Sequence, residues 1–267
     1  VLTLDTSHAP ARRHLGRLET VAGRADRAIA VLRAVPRDAA AMNFLADALR
    51  DAGRLGEAAT VARRTTALMA SADQIASGEA RKLADRIEHL RERAGTVGRA
   101  IADGTFRSED ADALDAEAAM AAGHPVSSAV VWRRLLDGPD GELRGRPIDY
   151  IRAARAALAS ATARSEDAKA LSPADRSAWR AAARRWLAEV LGIAVRQWRG
   201  PDRDHDRQSL ESCTRLLYSR WFASVRDPDA IARLSASERE PWQALWNEVR
   251  RTAEGLSERL RSREEDM

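Results

Sequence analysis

Ala22-Gly23-Arg24 recurs thirty residues later as Ala52-Gly53-Arg54, and each copy lies between two short amphipathic helical patterns. Eight residues before the first glycine stands Leu15-Gly16, and at the same offset before the second stands Leu45-Ala46. Ala28 and Ala58 follow their glycines by five residues. A large and a small residue on one helix, a glycine turn and a small residue on the next describe a tight helical hairpin. The small side chains let two helices approach, and glycine supplies the left-handed conformation that ends the first of them. Hairpins repeated in series stack, and stacked hairpins bind other molecules more often than they transform them.

The periodicity predicts a first hairpin over about Pro10–Ala34, stopped by Pro36, which cannot continue a helix. The second runs over about Ala39–Ala52 and Arg54–Ala70, with Leu45, Ala48, Leu49, Leu55, Ala58, Val61, Ala62 and Leu68 on the facing sides. Two hairpins are too few to stand alone, since about three are needed for a stable stack. From Ser71 the pattern loosens: Ile75, Leu83, Ile87, Leu90, Val97 and Ile101 mark longer helices, with interruptions expected at Gly95 and Gly98. Ser108 reads as the N-cap of a further helix, closed by Ala122-Gly123-His124-Pro125, with Val126–Leu136 as its partner and Trp132 inward. This is a degenerate third hairpin. Residues 137–147 read as a loop, rich in Gly and Pro, and a helix over about Ile148–Arg164 follows.

Six of the seven tryptophans fall in the last hundred residues. Two helix starts there resemble one another, Leu171-Ser172-Pro173-Ala174-Asp175 and Leu234-Ser235-Ala236-Ser237-Glu238, each with Ser at the N-cap and an acid three residues on. Pro241 falls inside the last long helix and predicts a kink or a short break. The fold expected is all-α: tetratricopeptide-like hairpins over 1–70, irregular helices with the degenerate hairpin over 71–147, and a tryptophan-rich helical cap over 148–267.

Charge and chemistry narrow the function. The net charge is +4, and Lys82 and Lys169 are the only lysines, so the basic residues are almost all arginine. They alternate with acids along the helices, the pattern of solvated faces with i,i+4 pairing. No run of about 18 apolar residues is present, so no membrane partner is expected. Cys213 is the only cysteine, which fits a reducing cytoplasm. The start shows no signal peptide and lacks Met, so the chain reads as a piece of something longer. Asp202, Asp204 and Asp206 alternate like a calcium loop, but Arg207 and Cys213 stand where its glycine and bidentate glutamate belong. They read instead as an exposed acidic connector. The five histidines are scattered with no metal-ligand spacing, and Cys213 sits on an apolar helical stretch, so neither a metal, a cofactor nor a nucleophile is expected. Trp179 and Trp186, seven apart, and Trp242 and Trp246, four apart, share helical faces and read as core anchors.

Val225-Arg226-Asp227-Pro228-Asp229-Ala230-Ile231-Ala232-Arg233-Leu234, then Glu238-Arg239, then Trp242-Gln243-Ala244-Leu245-Trp246, resembles the C-terminal tail of large planctomycete-type bacterial proteins. Those proteins carry tetratricopeptide repeats, often downstream of a Ser/Thr protein kinase domain. Arg185-Trp186-Leu187, Tyr150–Leu158 and Leu83–Gly104 are similar to the helices that precede this tail. Pro241, the loop at 137–147 and the weak first repeat depart from the pattern. No kinase motif occurs in the chain, so the resemblance implies a non-enzymatic interaction or regulatory region, with any kinase upstream. By analogy with such arrays, the first helices of the hairpins line a peptide-binding groove. That projects Arg13, His14 and Arg17 from the first and Asn43, Phe44, Asp47, Arg50 and Asp51 from the second. A protein or peptide partner is the expectation. An arginine-rich helical array binding nucleic acid is the alternative, and it lacks the basic stripe with interleaved exposed aromatics that stacking on bases needs.

Overall fold

The computed structural model describes residues 8–70, 74–138, 143, 145–162, 164–198 and 203–265. Every regular element among them is helical. The chain divides into two compact units, Val1–Phe106 and Arg107–Met267, whereas the sequence pattern places its boundaries at 70 and 147.

The first unit contains α1 (Ala9–Val21), α2 (Ala25–Leu32), α3 (Ala39–Asp51), α4 (Leu55–Met69) and α5 (Gln74–Ala102). Each helix packs on the next across these pairs: α1 on α2, α2 on α3, α3 on α4 and α4 on α5. In addition α1 lies on α3, and α3 touches α5. The two glycine turns share one hydrogen-bond pattern. Arg24 N–H donates to Glu19 C=O and Gly23 N–H to Thr20 C=O, and Arg54 and Gly53 repeat this toward Leu49 and Arg50. This is the Schellman closure, and it needs a positive φ, which is 65° at Gly23 and 75° at Gly53. The core joins Ala28, Ile29, Leu32, Leu45, Ala46, Leu49, Ala58, Ala62 and Ile87. Leu68, expected on the facing side, is instead 41% exposed, because α4 outruns its partner α3.

No interruption occurs at Gly95 or Gly98: α5 is a single 29-residue helix. Ala80, Ala84, Ile87, Leu90, Ala94 and Val97 are buried along it at helical spacing, and that burial outweighs the cost of about 1 kcal/mol for each mid-helix glycine. The side chain of Ile75 lies outside the described residues.

The second unit holds α6 (Ala113–Ala121), α7 (Pro125–Asp137), α8 (Pro147–Ala161), α9 (Glu166–Lys169), α10 (Pro173–Trp198), α11 (Arg203–Tyr218), α12 (Ala223–Arg226), α13 (Pro228–Ile231) and α14 (Ala236–Glu265), with a 3₁₀ turn at Arg220–Phe222. The degenerate hairpin is present as α6 packed on α7, closed by the same turn at Gly123. It starts later than expected. Asp112, not Ser108, is the N-cap, in a reciprocal capping box with Asp115 at 2.8 and 3.1 Å. A hydroxyl could also accept N–H groups here, but the carboxylate's charge in addition favours the positive helix end. In the expected loop, residues 139–142 and 144 lie outside the described residues.

Helix α8 packs on α7 and α10, and α11 packs on α10 and α14. Trp132, Trp186, Trp242 and Trp246 are fully buried and Trp179 nearly so, filling gaps among alanine-rich helices. Of the two similar helix starts, the first forms the capping box, with Ser172 and Asp175 exchanging bonds to each other's backbone N–H at 3.1 Å, whereas at the second Ser235 Oγ donates to the Glu238 carboxylate at 2.8 Å. Pro241 does not break α14. Its missing N–H costs one bond near the helix start, while Trp242, Trp246, Val249 and Leu256 anchor the rest.

The acidic connector is also corrected. Asp204 and Asp206 lie on α11, and Asp206 is completely buried, held by Arg259 at 3.2 Å and Arg263 at 3.0 Å from the far end of α14. Both guanidiniums reach Oδ2 and offset part of the cost of burying the charge, while Oδ1 is buried without a hydrogen-bond partner among the described residues. Asp202 lies outside the described residues.

Candidate functional site

The first helices of the two hairpins, α1 and α3, are neighbours in the first unit. Arg13 reaches from α1 to Asp38 at 3.1 Å, and Asp38 is the N-cap of α3, accepting Ala41 N–H at 3.0 Å. Arg13 therefore ties the two helices together. His14 and Arg17 stand exposed one turn apart on α1. On α3, Asp47, Arg50 and Asp51 form one ion cluster, with Arg50 at 2.9 Å from Asp47 and 3.3 Å from Asp51. Phe44 turns away and packs against the hydrophobic core. Asn43 is half-buried, and its Oδ1 is shielded from solvent without a hydrogen-bond donor. The stripe Asn43, Asp47, Arg50 keeps i,i+4,i+7 spacing on one side of the helix.

Elsewhere the structure accounts for the reactive residues. Cys213 is buried on α11, and burial pushes its thiol up to about 11, which keeps it protonated at neutral pH. His124 is the residue preceding α7 in its glycine turn. No group of three or more His, Cys, Asp or Glu positioned for a metal occurs among the described residues. Among them also, no helix is long and apolar enough to cross a membrane.

Several of the arginines that suggested a nucleic-acid array are engaged with acids: Arg24 with Glu19, Arg33 and Arg54 with Glu57, Arg63 and Arg91 with Glu88. The exposed face of Trp221 is covered by the Arg155 guanidinium, 4.0 Å from the ring. Compared with known proteins, the chain matches no family model, no curated protein and no solved structure.

A second feature lies in the other unit and was not read from the sequence. A groove of about 720 Å³ opens between the end of α11, α12, α13 and α14, lined by Tyr218, Arg226, Ile231, Arg239, Gln243 and Arg250 among others. Its polar residues on α14 recur every three or four positions beside the buried face of Trp242 and Trp246. That periodicity was the available signal.

Beside this groove, Glu238 joins α14 to α10. Its carboxylate accepts Ser177 Oγ at 2.9 Å, Arg180 Nε at 2.8 Å and Ser235 Oγ at 2.8 Å. Burial alone would raise its pKa, but the hydrogen bonds from Arg180, Ser235 and Ser177 and the Arg180 charge outweigh it and hold the group at about 2, against an ordinary 4.5. A depressed carboxylate pKa stabilises the fold above about pH 4.5, and the contribution is lost as pH falls toward 2. Because the pair is only partly buried, solvent screening reduces it to about 1 kcal/mol. Urea midpoints measured from pH 6 to 2 should fall more steeply for the parent than for Glu238→Gln. Parallel curves would show that the contact contributes nothing.

Proposed function

We propose that this chain is a non-enzymatic protein–protein interaction module, built on tetratricopeptide-like hairpins, that holds a peptide segment of its partner against the α1/α3 face. The observation that carries this reading is the polar stripe Asn43, Asp47 and Arg50 on the first helix of a hairpin whose closure is repeated in the preceding one. Peptide recognition by helical arrays uses such side-chain amides for the main chain and charged neighbours for register. The resemblance of residues 225–246 to tails of kinase-linked repeat proteins supports a role in recruiting partners to a catalytic domain upstream, in the cytoplasm.

The test is affinity capture from the source cell's lysate at moderate salt after nuclease treatment, with Asn43→Ala/Asp47→Ala/Arg50→Ala run beside the parent. A discrete protein held by the parent and lost by the variant, with thermal unfolding of both alike, is the expected result. Equal capture by both would remove the contact from this face. Recovery of nucleic acid alone, when nuclease is omitted, would favour the arginine-array reading.

A further inference from the structure

On α14, Arg239, Gln243, Asn247 and Arg250 are spaced by four, four and three residues, which keeps them on one side of the helix, and all four are exposed. They form one wall of the groove in the second unit. Its floor is apolar, with Trp246 and Ile231 buried beneath, and Tyr218 stands at its edge, 63% exposed. Arg226 on the opposite wall is committed: it bonds Asp227 at 2.9 Å and the Ser219 carbonyl at 2.8 Å. The other two arginines are not neutralised. Arg239 donates to the carbonyls of Ala232 and Leu234 at 3.1 and 3.3 Å, and Arg250 donates to Asn247 Oδ1 at 2.6 Å. Neither has a carboxylate partner among the described residues. The groove thus presents three arginines against one carboxylate, Asp227, in its lining.

We propose that this groove binds an extended acidic peptide whose two carboxylates lie about six residues apart, so that both fall on one face of the strand. Eleven residues of helix separate Arg239 from Arg250, a rise of about 16 Å; side chains of an extended chain alternate between faces, so the fitting same-face spacing is about six residues, about 20 Å, with the long arginine side chains closing the difference. The Gln243 and Asn247 carboxamides lie between the two cations; Gln243 offers a donor and an acceptor to the main chain of a strand laid along α14, and Asn247, whose Oδ1 already accepts from Arg250, offers its NH₂ donor. Each arginine closes on one carboxylate through charge-assisted hydrogen bonds. Tyr218 and the Ile231–Trp246 floor take an apolar side chain between them. A nucleic-acid strand fits less well, because it carries a charge on every nucleotide and would set phosphates against uncharged carboxamides and Asp227. This site is independent of the α1/α3 face, and either can fail without the other.

The experiment is fluorescence anisotropy with the full chain and labelled Glu-Thr-Val-Thr-Val-Thr-Glu. Saturable binding below about 1 mM is expected, weakened at least about tenfold when both glutamates become glutamine and again by Arg250→Gln. Arg250 bonds only a neighbour on its own helix, so that variant keeps the fold, which circular dichroism checks. Gln243→Ala should lose a smaller factor, about threefold, and Arg81→Gln in the other unit none. Equal affinity for the neutral peptide, no effect of Arg250→Gln, no saturation by about 1 mM, or tighter binding of oligothymidine would each overturn the proposal.

Discussion

Trp246→Ala is expected to destabilise the second unit by about 3–5 kcal/mol, the range for truncating a fully buried large aromatic. Trp246 is 1% exposed, stacks on Trp242 with ring centroids 6.0 Å apart and meets Phe222 at 6.3 Å. Its indole N–H also donates to the Val225 carbonyl, which links α14 to α12. Two terms are therefore lost together, packing volume and a buried hydrogen bond, and Trp246→Phe separates them. Phenylalanine keeps most of the apolar contact but leaves the Val225 carbonyl unmet, at a cost of about 1–3 kcal/mol. Urea unfolding gives the magnitude, and hydrogen exchange gives the place: protection should fall in α11–α14 and stay unchanged in α1–α5. A loss below about 1 kcal/mol for alanine would mean that the tryptophan cluster does not anchor this unit.

The hairpins were legible because one local device specifies them. A glycine at positive φ, with small residues at fixed offsets, is a statement about neighbours in sequence, and Gly23, Gly53 and Gly123 all keep it. What depends on distant partners was not legible. Asp204 and Asp206 alternate like a loop, and nothing local reveals that Asp206 is buried under arginines more than fifty residues away. The glycines of α5 show the reverse error. Gly95 and Gly98 weaken a helix locally, but the buried stripe from Ala80 to Val97 continues through them. The candidate groove residues divide the same way. Spacing placed Asn43, Asp47 and Arg50 on one stripe, yet Phe44 turns into the core and Arg13 is drawn to the cap of α3. The groove in the second unit needed tertiary structure, since its walls come from α11, α13 and α14.

Gly16→Val is expected to undock α1 from the first unit. A Cβ built on Gly16 would lie 2.3 Å from both Cγ and Cδ2 of Leu32, and Leu32 is fully buried at the last turn of the eight-residue α2. Neither helix can yield cheaply, since Leu32 packs in the shared core and α1 is fixed at both the glycine turn and the Arg13–Asp38 bridge. The aligned position in the second hairpin is Ala46, also fully buried, so that hairpin accommodates a methyl group where the first does not. Gly16→Ala isolates the clash. Overpacking costs about 1–3 kcal/mol, and helix propensity returns up to about 1. Valine adds two branches that no rotamer can clear. Leu32→Ala alone should cost about 2–5 kcal/mol by leaving a cavity, and Gly16→Ala placed on that background should become neutral or stabilising. Additive effects would show that the two residues do not meet. The same cycle bears on function: with α1 undocked, His14 and Arg17 leave the candidate surface while the stripe on α3 persists. Peptide binding that survives Gly16→Val would therefore rest on α3 alone.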